Sequence, residues 1–530
     1  MKIPAFFAAA LAMSVSAFSQ TSLPAAPALT AGAEFKGLRF DWDTVPGATW
    51  YQLEYRANQS GSFVQVGDDL PARATSTGLS FPLHLYNWTY ARYRLAACNS
   101  AGCTRSAAVS VSGVRRDAVG YFKSSLPGDY GAFGSSTDIS PDGYTLATTA
   151  PGESSGASAT AKGRIFVFHR GADRKWVQRA RLEARTDTTY NNYVELQVSI
   201  SASGKTVAVA IPYQVVGPPA AHRGVVDIYF LRNDVYTPTR LPRGALDDIF
   251  SADLDDSGSL LAVRGRTGLQ EVTAIYQLIN GVWTNVRSVT PTSETCWNVK
   301  LTQDGKKVVA TCRSGGTQGQ RYRDYVRVMS GSNWSTRTEI ELDLPDLSDG
   351  HTMHDHNGVG LDRAGDTIAV QTRDESPFGA AANVKVYRLT GGAYQLVTQL
   401  NAGTWNPGDD TGDFGQSVSI SGDGQTMAIG HPGDYGTGYG PRAAPLNAGT
   451  KPTGAVYVYR LTDSWKLANM VKPNYVTPSG FGRDFGLVTT LSGTGKTLVV
   501  GVPGEDSWAT GIGGDWANAG RPGSGAVFMY

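Results

Sequence analysis

Charge imbalance is what this chain lacks most plainly. Lys and Arg number 47 against 46 Asp and Glu, a formal net charge of +1. No basic field is available to hold a phosphate backbone, so nucleic acid is not an expected partner. Charged residues make up only 18% of the 530. Cysteine is scarce, at four residues, and none of the four has the C-x-x-C spacing of a thiol redox or metal motif. Beyond residue 20 no apolar run approaches the roughly 20 residues a helix needs to cross a bilayer. A G-x-S-x-G nucleophile elbow in a strand-to-helix setting is also missing, and no catalytic residue is assigned. What is plentiful is glycine, 63 residues, with aromatics at 10%. Glycine serves turns while aromatic and β-branched residues serve strands, so the balance predicts an all-β protein rich in turns.

Residues 1–20 read as a signal peptide. Lys2 supplies the positive start, Ile3 to Val15 an apolar core, and Ala17 and Ser19 the small residues of a cleavage site. Ser14, Ser16 and Ser19 interrupt the run and disfavour a membrane anchor. The mature chain is therefore expected outside the cytoplasm, as a secreted, periplasmic or cell-surface protein with no membrane span. The cysteines fit an oxidising compartment. Cys98 and Cys103 flank the turn-forming Asn99-Ser100-Ala101-Gly102, while Cys296 and Cys312 lie equally far from Asp304. Opposed residues on paired strands come within disulfide range, which predicts bonds 98–103 and 296–312.

Residues 21–113 alternate in short runs, as in Gly37-Leu38-Arg39-Phe40-Asp41-Trp42-Asp43 and Tyr51-Gln52-Leu53-Glu54-Tyr55-Arg56. Short strands separated by turns over some ninety residues describe a β-sandwich. The segment resembles the fibronectin type III family, with Trp42 and Tyr93 at that family's core tryptophan and tyrosine positions. Such modules commonly serve as spacers or surface-contact units.

Residues 114–530 repeat a unit of β-run, turn and β-run. The turn glycines are Gly143, Gly204, Gly258, Gly305, Gly365, Gly424 and Gly495, at successive spacings of 61, 54, 47, 60, 59 and 71 residues. Four strands are read per unit, which predicts a seven-bladed β-propeller. The last unit ends at its third strand, Gly525 to Tyr530. Val119 to Lys123, at the start of the array, is expected to supply the missing fourth and so remove an open edge. Phe133-Gly134, Phe414-Gly415 and Phe481-Gly482, with Ala150-Pro151-Gly152, His431-Pro432-Gly433 and Val502-Pro503-Gly504, carry a second signal. These phrases resemble the FG-GAP repeats of integrin α-subunit propellers and their bacterial relatives.

That resemblance implies Ca²⁺ in the turn between the first two strands. The turns here carry one carboxylate before the glycine and lack the later Asp. Asp253, Asp255 and Asp256 before Gly258 come nearest. A plain Asp-Gly hairpin turn is the favoured reading, and no cofactor is expected. His354 and His356, two residues apart on one side of a strand, are the other candidate metal ligands, against a solvated-loop reading.

The connections after strands two and four are the long ones: 151–162, 212–223, 401–413, 431–453 and 503–524. They hold Tyr213, Trp405, Tyr435, Tyr439, Trp508 and Trp516. Aromatics in exposed glycine-rich loops act as binding surfaces. The expected function is non-enzymatic recognition or adhesion, contacting extracellular protein or carbohydrate. The rival expectation is a polysaccharide-acting hydrolase or lyase with its site on the same face.

Overall fold

The computed structural model describes residues 22–153, 163–185, 195–216, 222–290, 294–314, 323–342, 358–374, 381–402, 413–436, 438–441, 453–474 and 484–530. Among them the regular elements are strands, apart from two single 3-10 turns at Ser112–Val114 and Ser332–Trp334. No described helix is long and apolar enough to cross a membrane, and residues 1–20, where a signal peptide is expected, lie outside the described part.

The chain divides into two compact units. The first holds residues up to Gly32, Arg39–Gly78 and Asn87–Gly113; the second holds Ala33–Leu38, Leu79–Tyr86 and Val114–Tyr530. Gly37–Asp41 is the middle strand of a three-stranded sheet. Trp50–Arg56 and Arg92–Asn99 are central to a six-stranded one. The rings of Phe40 and Tyr93 meet at 4.5 Å and those of Trp42 and Tyr51 at 5.6 Å. Trp42 and Tyr93 are both buried, so they are core packing. Cys98 lies opposite Cys103 in the strand register and is bonded to it.

The second unit has a propeller fold. Each antiparallel sheet is named here by its turn glycine. The Gly143 sheet runs Thr137–Ile139, Thr145–Ala150, Arg164–Arg170 and Trp176–Glu183 in spatial order. The Gly424 sheet repeats it with Val418–Ile420, Thr426–His431, Ala455–Leu461 and Trp465–Val471. The Gly305 and Gly365 sheets are also four-stranded, and the Gly204 and Gly258 sets are joined into one eight-stranded sheet. The link between those two is a single parallel pairing, Arg223 with Asp248. The Gly495 sheet takes its fourth strand from the other end of the unit. Gly120, Tyr121 and Phe122 pair with Met529, Phe528 and Val527, as the sequence implied. Cys296 and Cys312 face each other across the first two strands of the Gly305 sheet and are bonded. Between third and fourth strands, a register shift recurs at Val167/Phe168, Ile275/Tyr276, Val386/Tyr387 and Val458/Tyr459.

Local chemistry explains the turns. Every turn glycine has φ between 65° and 77°, a region that costs other residues steric strain. Its N–H donates to the carbonyl three residues earlier. The side chain of that same residue (Ser140, Ser201, Asp255, Thr302, Asp362, Ser421 or Ser492) accepts the N–H two residues after the glycine. Each turn then packs on the sheet before it. A Cβ on Gly204 would stand 2.7 Å from Thr145 Oγ1, and one on Gly495 2.6 Å from Thr426 Oγ1. Gly143 closes the series, its Cβ position lying 2.9 Å from Thr497 Oγ1 in the Gly495 sheet.

A second set of bonds ties the first strands together around the axis. In five sheets the residue five before the turn glycine bonds the backbone of the next sheet. Asp138 Oδ2 accepts Ile200 N–H at 2.7 Å, Ser199 Oγ accepts Leu254 N–H at 3.1 Å, and Asp253 Oδ2 accepts Leu301 N–H at 2.8 Å. Ser419 Oγ accepts Leu491 N–H at 2.9 Å, and Thr490 Oγ1 donates to Thr137 O at 3.0 Å. At Gly360 direct packing replaces the bond, because a Cβ there would lie 2.8 Å from Val418 Cγ1.

Burial raises the Asp138 carboxyl to about 7, against the lowering effect of the Ile200 N–H, with Asp253 adding to the rise. From the ordinary 3.8 up to about 7 the folded protein holds a proton that the unfolded chain releases. Stability attributable to this group therefore falls as pH rises through that window. Asp138→Asn keeps an oxygen acceptor and should lose less stability than wild type between pH 5 and pH 8 in urea titrations; equal losses would refute the assignment. Ser419→Ala, which orphans the Leu491 N–H, should cost about 1–3 kcal/mol in the same measurement.

Candidate functional site

The second strand of three sheets ends in Pro-Gly followed by an acid: Glu153, Asp434 and Glu505. Glu153 and Asp434 are buried and Glu505 nearly so. Each meets a cation in the fourth strand of its own sheet or one residue past it. Arg181 Nη2 reaches Glu153 Oε1 at 2.7 Å, Lys472 bonds Asp434, and Lys123 bonds Glu505. Tyr457 donates to Asp434 Oδ2 at 2.9 Å and Tyr121 donates to Glu505 Oε1 at 3.0 Å. Burial alone would raise Asp434, but Lys472 beside it holds the carboxyl below its ordinary range. Burial lowers the Lys123 amine, and Glu505 offsets part of that.

These clamps fix the bases of loops. Thr453 and Gly454 N–H groups return to the Asp434 carbonyl at 2.7 and 3.0 Å, and Gly525 N–H returns to that of Glu505 at 2.8 Å. Lys123 Nζ also donates to Ser524 Oγ at 2.7 Å, which in turn donates to the Ser507 carbonyl at 2.9 Å. A Lys–Ser–Glu grouping suggests catalysis in isolation. Its acid–cation core recurs in three sheets, and in two of them the chain returns to the carbonyl of the acid, which identifies it as a loop anchor.

The loop above Glu505 is bonded throughout its length. Trp508 N–H donates to Asn518 Oδ1 at 2.7 Å, Arg521 N–H to the Asp506 carbonyl at 2.7 Å, and Gly523 N–H to Asp506 Oδ1 at 2.9 Å. Trp508 is nonetheless 65% exposed. Beside this loop runs the connection from Lys123 to Phe133, joined to it by Tyr130 N–H donating to the Pro522 carbonyl at 2.7 Å. Tyr130 is 72% exposed and Leu126 is exposed as well. In the loop above Asp434, Tyr439 is exposed with Arg116 stacked 6.0 Å from its ring centre, while Tyr435 is half-buried. Trp516 is half-buried too.

Of the remaining candidates, Tyr213 lies on the strand Thr206–Val216, its side chain outside the described part. Trp405, His354 and His356 lie outside the described residues. Asp255 binds the N–H groups of Ser259 and Leu260 within its own turn, and Asp253 forms the axial bond to Leu301. Among the described residues no three His, Cys, Asp or Glu side chains converge as metal ligands would.

Two sequence signals were there to be read and were missed. Phe481-Gly482 falls outside the described residues. Phe485-Gly486 takes the role of Phe133-Gly134 and Phe414-Gly415, with Phe485 fully buried and Gly486 at φ 94°. The constant nine-residue gap to Gly143, Gly424 and Gly495 picks out this copy. Tyr130 belongs to Pro127-Gly128-Asp129-Tyr130-Gly131, the same pentapeptide as Pro432 to Gly436.

No protein-family model and no curated protein matches the sequence. Solved propellers resemble it at low identity. A protein from Lactobacillus plantarum is 11% identical with a TM-score of 0.39, covering 80% of this chain and 97% of its own. The beta-propeller domain of the Trilobed protease from Pyrococcus furiosus is 11% identical with a TM-score of 0.38, covering 68% and 86%. The Dos1 propeller is 12% identical with a TM-score of 0.41, covering 78% and 95%. Likeness of this degree carries no argument about activity, and the fold rests on the sheet order above.

Removing one partner of a buried pair strands the other charge. Lys472→Met should therefore cost about 3–5 kcal/mol, and adding Asp434→Asn should recover part of the loss. Equal stability of the single and double variants in urea unfolding would show that the pair is not coupled.

Proposed function

We propose that the chain is an exported binding protein. In this reading a fibronectin type III-like module precedes a seven-bladed FG-GAP-type propeller that recognises extracellular protein or glycan without chemistry. The recognition face carries the loops above Asp434 and Glu505. Two disulfides are consistent with an extracellular setting.

The observation that supports recognition is the exposure of Trp508 and Tyr130 on segments already held by hydrogen bonds. Large rings on a preordered backbone offer apolar area at little cost in ordering. The carboxylates beneath them are engaged otherwise. Glu153, Asp434 and Glu505 are each tied to a cation, which suits anchoring better than proton transfer.

Trp508→Ala and Tyr130→Ala remove exposed rings, so both variants should fold with near wild-type thermal stability. Each should weaken capture on an array of matrix proteins and glycans by about tenfold or more, as central aromatic contacts do. A double variant that captures the same ligands as wild type would refute this face as the binding surface.

A further inference from the structure

The six-stranded sheet of the first unit has one apolar and one basic face. Tyr51, Leu53, Tyr93 and Leu95 point into the core. The alternate positions carry charge. Glu54 pairs with Arg94 and Arg56 with Arg92 across Trp50–Arg56 and Arg92–Asn99, and Ala96 pairs with Arg105 on the next strand. Residues paired in register project to the same side of a sheet. Arg56, Arg92, Arg94 and Arg105 therefore share one face.

The charges on this face do not cancel. Glu54 takes Arg94 at 2.5 Å and Arg105 at 3.0 Å. Asp69 is occupied by the amides of Gln52 and Gln65. Four guanidiniums against these two carboxylates leave two positive charges in excess. Arg92 donates to the carbonyls of Thr89 and Ala91, and has no acidic partner among the described residues. Arg56 stacks 4.9 Å from the Phe63 ring centre, its Nε buried without a hydrogen-bond acceptor. Arg94 lies 4.1 Å from the same ring. Phe63 thus holds two guanidinium planes in place and spares them the ordering cost of long side chains.

We propose that this face is a second binding surface, one that takes a linear anionic polysaccharide bearing carboxylate or sulfate groups. Arginines on adjacent strands stand about 4.8 Å apart and those two residues along a strand about 7 Å apart. That grid meets charges repeated along an extended polymer, and guanidinium forks bind both carboxylate and sulfate in bidentate fashion. A nucleic acid is disfavoured by the chain's net charge of +1. It is also disfavoured because Phe63, the ring against which these arginines lie, is covered by them and cannot stack a base. The surface is independent of Trp508 and stands whether or not the loop face binds.

The test uses the full chain on immobilised heparin, immobilised polygalacturonate and neutral dextran, with salt titrations. Wild type should bind the first two and not dextran. Arg56→Ser with Arg92→Ser should lower the slope of log affinity against log salt by about 2, one per lost contact, without a change in thermal midpoint. Arg56→Lys with Arg92→Lys should restore most of the slope, and Trp508→Ala should leave it untouched. Unchanged retention of the serine variant would overturn the proposal. So would tighter binding of single-stranded DNA than of either polysaccharide, in favour of a nucleic-acid surface.

Discussion

Around the axis of the second unit, four sheets lend a hydrogen-bond acceptor to their neighbour and a fifth lends a donor. A first strand next to a channel has N–H groups with no strand beyond it, and buried amides without partners are expensive. Asp138, Ser199, Asp253 and Ser419 supply those partners from the adjoining sheet. The turn glycines add a second register, each seated on the first residue of the preceding turn or on the one that follows that turn. Both series cross from the last sheet to the first, at Thr490 with Thr137 and at Gly143 with Thr497. The sheets are consequently locked in angle as well as in order.

With the sheets fixed, the loops can be anchored from below. Glu153, Asp434 and Glu505 stand where a second strand leaves its sheet, and a cation in the fourth strand or one residue past it meets each. Long connections therefore start and finish on rigid ground, and their tips are free to vary. Trp508 lies in such a connection, and Tyr130 in a neighbouring one that is bonded to it.

Much of this was legible in the chain because it is local and repeated. The turn glycines, the two cysteine pairs and the strand borrowed from residues 120–122 all follow from symmetric spacing about a turn or from an incomplete last unit. What was not legible depends on neighbours distant in sequence. Pro-Gly-Asp-Tyr-Gly occurs twice: Asp434 is buried against Lys472 and Tyr457, whereas Asp129 and Tyr130 face solvent. Identical pentapeptides meet different fates because only one has a cation waiting one residue past the fourth strand. The carboxylates before Gly258 came nearest to an ion loop, though a plain turn was favoured, and their partners were hidden for a similar reason. Asp253 finds its partner in Leu301, 48 residues on, and no pattern within the turn announces it.

The pairing of Gly120–Phe122 with Ala526–Met529 also sets an order of events. Two segments some four hundred residues apart must meet before the final sheet exists, and such distant closure is intrinsically slow. Until the last strand has been made, the first has an unfilled edge and the ring stays open. Closure of this unit thus waits for Ala526–Met529, and loss of only that strand would leave every other sheet correctly built yet unable to join the circle.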